Sequence, residues 1–151
     1  MNHITANNAA GQDFMPLMRE LVRAYQAFAS LDARLHREAG SGLTVSQADV
    51  IFTLGNTPGM TCGEIGERTL ITKGTLTGVI DRLEGKGLVA RRRGRQDARC
   101  VHIALTAQGK ALFERAFPRH VAALKQRFDQ LDSTRQEQAI ALLAEIRAAL
   151  D

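Results

Sequence analysis

The sequence predicts a mainly α fold, with a helix-turn-helix and a small β-hairpin set between long N- and C-terminal helices. Three observations predict it. Apolar residues recur at helical spacing near both ends of the chain, capping signatures open short apolar stripes in the middle, and an arginine-rich stretch with Gly94 at its tip separates two strand-like runs.

From Phe14 to Ala39 the residues Leu17, Leu21, Ala24, Phe28, Leu31 and Leu35 follow alternating steps of four and three, the stripe of an amphipathic helix. Gly40 and Gly42 end it, since glycine adopts the left-handed backbone of a helix end without strain. Ser46 is expected to cap a second helix that buries Val50, Ile51 and Leu54 and stops at Gly55, Pro58 and Gly59. Thr61-Cys62-Gly63-Glu64 is a capping box for a short third helix. After a tight turn Thr72 is expected to cap a fourth helix, whose apolar side is Leu76, Val79, Ile80 and Leu83. Two short helices joined by a tight turn over a buried stripe make a helix-turn-helix.

Leu88–Ala90 and Val101–Leu105 read as the two strands of the hairpin. From Thr106 a second long stripe carries Phe113, Phe117, Val121, Leu124, Phe128 and Leu131, with Pro118 expected to kink or stagger the helix. Ser133 and Gln136 are read as a capping box before a last helix bearing Ile140, Leu143 and Ile146. Two long end helices around a small basic lobe have little to bury against within one chain, which favours a dimer.

Composition narrows the function. The 151 residues are 44% hydrophobic and 24% charged, with a net charge of +4. Residues 82–99 hold seven basic side chains and two acids, a local +5, so the basic character of the chain belongs to one stretch. No run of about 18 apolar residues predicts a membrane span. The first residues lack the basic start and apolar run of a signal peptide and are read as a flexible arm over 1–13. Two cysteines, Cys62 and Cys100, do not make a disulfide scaffold, which fits a cytoplasmic protein. No phosphate loop, Gly-x-Ser-x-Gly or paired-carboxylate motif supports an enzyme. A winged helix serving only as a protein-interaction module is the rival class, but such a module would not require a basic hairpin.

On the fourth helix, the face opposite the apolar stripe presents Lys73, Gly74, Thr77, Gly78 and Asp81, with Thr75 and Arg82 at its borders. Each interior glycine costs about 1 kcal/mol of helix propensity relative to alanine. Close approach of the backbone to a DNA groove would explain two of them on one face, with the threonines offering hydroxyls and methyls to bases. Lys73 and Arg82 would neutralise phosphate. Asp81 is expected to be paired with Arg82 or a hairpin arginine. Arg91, Arg92, Arg93, Arg95 and Arg99 give the hairpin the charge suited to a minor groove.

Leu43-Thr-Val-Ser-Gln47, the Thr61–Arg82 helix-turn-helix, Leu83-Glu-Gly-Lys-Gly-Leu-Val89, Asp97-Ala98-Arg99 and Leu105-Thr106-x-x-Gly109 together resemble the MarR family of bacterial transcriptional regulators over residues 14–150. The resemblance implies a winged helix-turn-helix homodimer. Residues 14–42 and 107–151 would form its helical dimerisation region and 43–106 its DNA-binding region, in one intertwined unit. It places Thr72 to Thr77 and Gly78 at the recognition positions and Arg95, Asp97 and Arg99 on the wing, with Asp97 bracing the wing arginine. It also implies repression at a palindromic double-stranded operator and release by a small aromatic or phenolic ligand. Arg23, Tyr25 and His36 are the candidates for that ligand. No cofactor is expected, and His3, His36, His102 and His120 show no paired metal-ligand spacing. The alternative is thiol-based redox control through Cys62, at a helix start, or Cys100, beside Arg99.

Overall fold

The computed structural model describes residues 3–69, 71–93 and 100–151; Arg95, Asp97 and Arg99 therefore lie outside the described residues. After a short 3-10 turn at Ala9–Gly11 come α1 (Met15–Glu38), α2 (Val45–Leu54), β1 (Met60–Thr61), α3 (Cys62–Arg68), α4 (Lys73–Gly85), β2 (Val89–Arg93), β3 (Val101–Leu105), α5 (Ala107–Phe128) and α6 (Ser133–Leu150). The strands form one antiparallel sheet in the order β1-β3-β2, with Met60 opposite Ile103 and Val89 opposite Leu105. This is a winged helix-turn-helix: α3 and α4 are its two helices, β2 and β3 its hairpin.

The core sits under that lobe. Val50, Ile51 and Leu54 of α2, Ile65 of α3, Leu76, Val79, Ile80 and Leu83 of α4, Val89 and Ile103 of the sheet, and Leu112 and Phe113 of α5 pack into one buried cluster. Of the nine apolar positions on α2, α4 and α5 in that cluster, all but Leu112 are legible as helical stripes in the sequence.

Local signals fix the ends. Gly40, with φ of 61°, follows α1, and Gly87, with φ of 71°, follows α4. After α4 the amide of Leu88 donates to Leu83 O at 3.0 Å and that of Gly87 to Glu84 O at 2.8 Å, a Schellman turn. The Thr61/Glu64 capping box forms as expected, and the Thr61 amide and hydroxyl hold the Glu64 carboxyl below its ordinary range.

Several expectations need correcting. Thr44, not Ser46, caps α2, because only Thr44 has a glutamine three residues on to close a capping box, and Ser46 lies within the first turn. Asp132, not Ser133, caps α6, accepting from the Arg135 amide at 2.8 Å. Gln136 instead turns back to donate to Phe128 O and Leu131 O at the end of α5. Thr72 occupies the cap position of α4 without a capping bond, since its hydroxyl donates to Thr75 Oγ1 at 3.1 Å. The first hairpin strand is Val89–Arg93 rather than Leu88–Ala90: Leu88 closes the Schellman turn, and pairing with β3 draws the arginines into the ladder. The two-residue β1 is too short for a periodic signal. Pro118 lies inside α5, which runs on through it as one helix.

Candidate nucleic-acid interface and ligand cleft

The helix-turn-helix leaves one side of α4 to solvent. Thr72, Lys73, Gly74, Thr75, Thr77 and Arg82 are exposed and Gly78 is half-buried, while the apolar stripe is buried beneath. Among the described residues, a Cβ at Gly74 or Gly78 would meet nothing within 4 Å. Packing among those residues therefore requires neither glycine.

The acid on this helix is answered from the hairpin. Arg91 Nη2 donates to Asp81 Oδ1 at 2.6 Å, its Nη1 pairs with Glu84, and its backbone amide donates to Glu84 Oε1 at 3.3 Å. The Asp81 bond is the chief reason that Arg91 holds its proton more tightly than a solvated guanidinium. Arg91 thus braces β2 on α4, whereas Arg92 and Arg93 are exposed farther along the strand. Lys86 is structural too, donating to Gly42 O at 3.1 Å and Gln47 Oε1 at 3.3 Å, which ties the end of α4 to the start of α2.

A cleft of about 590 Å³ opens between α1, α2 and α5 and reaches the start of α4. Tyr25, Phe28, Phe52 and Phe117 give it aromatic walls, Asp32, Asp49 and His120 its ionisable groups, and Thr72 and Thr75 its edge at α4. Of the three ligand candidates, Tyr25 lines this cleft. His36 is buried behind it, stacked on His120 with ring centres 4.4 Å apart. Arg23 is exposed and paired with Glu20 at 2.7 Å, and is not among the lining residues.

The sequence reading misses Asp32, Asp49 and His120. They come from three different helices, so no local spacing announces them; the available signal was Asp32 and His36, four residues apart on one helix face. His120 Nε2 lies 3.0 Å from Asp32 Oδ1, and His36 Nε2 lies 3.6 Å from Asp32 Oδ2. His36 Nε2 and His120 Nδ1 are buried without hydrogen-bond partners among the described residues, an arrangement that costs about 1–3 kcal/mol per group. Burial, and next the charge of Asp32, push the Asp49 carboxyl up, with His120 opposing. Burial, and next His36, push the His120 imidazole down, with Asp32 opposing.

Cys62 and Cys100 are exposed, and both line a second hollow of about 620 Å³ with Lys73 and Val101.

A sequence profile of the MarR family matches residues 41–99. The homoprotocatechuate degradative operon repressor of Escherichia coli is 33% identical over 106 residues, covering 70% of this chain and 72% of that repressor. The chain belongs to the MarR family. As a MarR-family transcriptional regulator it binds DNA. Two solved structures share the MarR winged-helix fold. BpsR of Bordetella bronchiseptica, solved to explain regulation of its DNA binding by 6-hydroxynicotinic acid, superposes with a TM-score of 0.75 at 26% identity over 90% of this chain and 96% of BpsR. Sco3205, a MarR-family regulator from Streptomyces coelicolor solved in complex with DNA, superposes with a TM-score of 0.79 at 22% identity over 100% of this chain and 92% of Sco3205. No helix among the described residues is long and apolar enough to cross a membrane.

Proposed function

We propose that this MarR-family chain is a cytoplasmic homodimeric repressor that reads a palindromic operator and is released when a small aromatic or phenolic ligand enters the cleft between α1, α2 and α5. The observation that carries this reading is that Thr72 and Thr75 belong both to the exposed start of α4 and to the edge of the cleft. A ligand seated there presses on the helix that meets DNA. Aromatic walls suit a ring, and the relatives include a repressor of an aromatic-degradation operon and a regulator controlled by a hydroxylated aromatic acid.

In this reading Thr75, Thr77, Gly74 and Gly78 approach the major groove, with Thr72, Lys73, Arg82 and Arg93 on flanking phosphates. Arg95, Asp97 and Arg99 complete the wing. Dimerisation is supported by the apolar side chains that one chain leaves in water: Leu17, Val22 and Phe28 on α1, and Ile140, Leu142 and Leu143 on α6, which buries no residue of its own. A second, thiol-based reading is favoured by the placement of Cys62 and Cys100 at one hollow beside Lys73 of α4.

Arg91→Ala tests the DNA-facing surface. It uncovers Asp81 and Glu84 beside α4, so affinity for duplex DNA falls about tenfold through repulsion of phosphate, while the exposed ion pairs contribute little to stability. Fluorescence-anisotropy titration beside a thermal melt checks it. Undiminished affinity in a folded variant would separate that side of α4 from the phosphate backbone.

A further inference from the structure

We infer that Asp32, His36 and His120 form a binding site for a divalent transition-metal ion of the zinc class at the inner end of the cleft between α1, α2 and α5. One donor atom from each of the three lies within 4.8 Å of the others. Asp32 Oδ1 is 3.0 Å from His120 Nε2 and Asp32 Oδ2 is 3.6 Å from His36 Nε2. A tetrahedral ion with ligand bonds of about 2.0–2.1 Å sets neighbouring donors roughly 3.3 Å apart, a spacing the carboxylate meets with one oxygen toward each imidazole.

Independent observations point to a ligand. His36 is 4% exposed, and its Nε2, facing the Asp32 carboxylate, has no hydrogen-bond partner among the described residues. The cleft also holds two carboxylates, Asp32 and Asp49, and no lysine or arginine among its described lining residues. Imidazole with carboxylate selects zinc, cobalt or nickel over calcium and magnesium, which take all-oxygen sets. Bound there, the ion would set a positive charge beside the two acidic side chains of a cleft with aromatic walls.

The His36 and His120 rings lie 20° from parallel. Two near-parallel imidazoles cannot aim lone pairs at one point, so uptake of the ion turns one ring and opens the stack.

The site does not rest on the proposed repressor function, and its test contains no DNA. The full chain, stripped with chelator, is titrated with Zn²⁺ by calorimetry and separately with Co²⁺ by absorption spectroscopy. The expected result is one ion per chain, visible cobalt bands of a nitrogen and oxygen site, and no thiolate-to-cobalt charge transfer. Asp32→Asn and His36→Gln each weaken binding at least about tenfold, and Cys62→Ser with Cys100→Ser leaves it unchanged. No stoichiometric uptake, thiolate charge transfer in the cobalt form, or full affinity in folded Asp32→Asn protein would overturn the inference. The cobalt spectrum of the unaltered chain keeps the test decisive if a histidine variant fails to fold.

Discussion

Gly109→Ala is expected to remove about 3 kcal/mol or more of folding stability, a large share of the typical domain margin of about 5–15 kcal/mol. Gly109 lies in the first turn of α5, where a Cβ would fall on the Leu88 carbonyl oxygen and 2.9 Å from its carbon. Neither atom can withdraw. The Leu88 oxygen already accepts the Thr106 amide at 3.1 Å, and the Leu88 amide is held by Leu83 O at 3.0 Å. The helix that leaves the hairpin therefore docks backbone against backbone at the only residue type without a side chain. This gives the Leu105-Thr106-x-x-Gly109 pattern its physical meaning, since the Thr106 hydroxyl accepts from the Gly109 amide at 3.1 Å in the same turn. Denaturant unfolding of the variant checks it, with Gly11→Ala, where nothing lies within 4 Å, as the comparison. A Gly109→Ala protein as stable as the parent would contradict the docking of α5 on the Leu88 backbone.

The double substitution Gly74→Ala with Gly78→Ala is expected to move stability and function in opposite directions. Both glycines lie within α4 in space open to solvent, so each alanine raises stability by roughly 0.5–1 kcal/mol through helix propensity. Duplex affinity falls about tenfold or more, because the added methyls hold the α4 backbone away from the base edges it approaches. A thermal melt and an anisotropy titration on one preparation measure both effects. A stabler protein with undiminished affinity would show that these glycines are merely tolerated on a solvated face.

How much of this was legible depended on distance along the chain. Signals confined to one helix read well: the buried stripe Leu76, Val79, Ile80 and Leu83, the Thr61/Glu64 box and the glycine after α1 all stand as the sequence implies. The misplaced caps lay between adjacent candidates, where Thr44 outcompetes Ser46 and Asp132 outcompetes Ser133 by reaching the third amide of the helix. The pairing of Asp81 with a hairpin arginine was foreseeable from charge alone, although which arginine depended on the β2–β3 register. Least legible was the cleft. Asp32, Asp49, Phe117 and His120 meet only because three helices converge, and their chemistry leaves no mark on any single stretch of sequence. The long stripe of α5 was ambiguous for another reason, since Phe113 is buried in the chain while Val121 and Phe128 are exposed. One periodic pattern there has two fates, an internal core at one end and an apolar face left in water at the other.

The central claim is that two copies present α4 to successive turns of one duplex, and selection of binding sites from random double-stranded DNA tests it most directly. The predicted result is an inverted repeat with half-sites centred about one helical turn, roughly 10 bp, apart. It is bound by a dimer, with affinity that falls steeply as salt rises. Enrichment of a site without two-fold symmetry, or no enrichment over random duplex by folded protein, would contradict it.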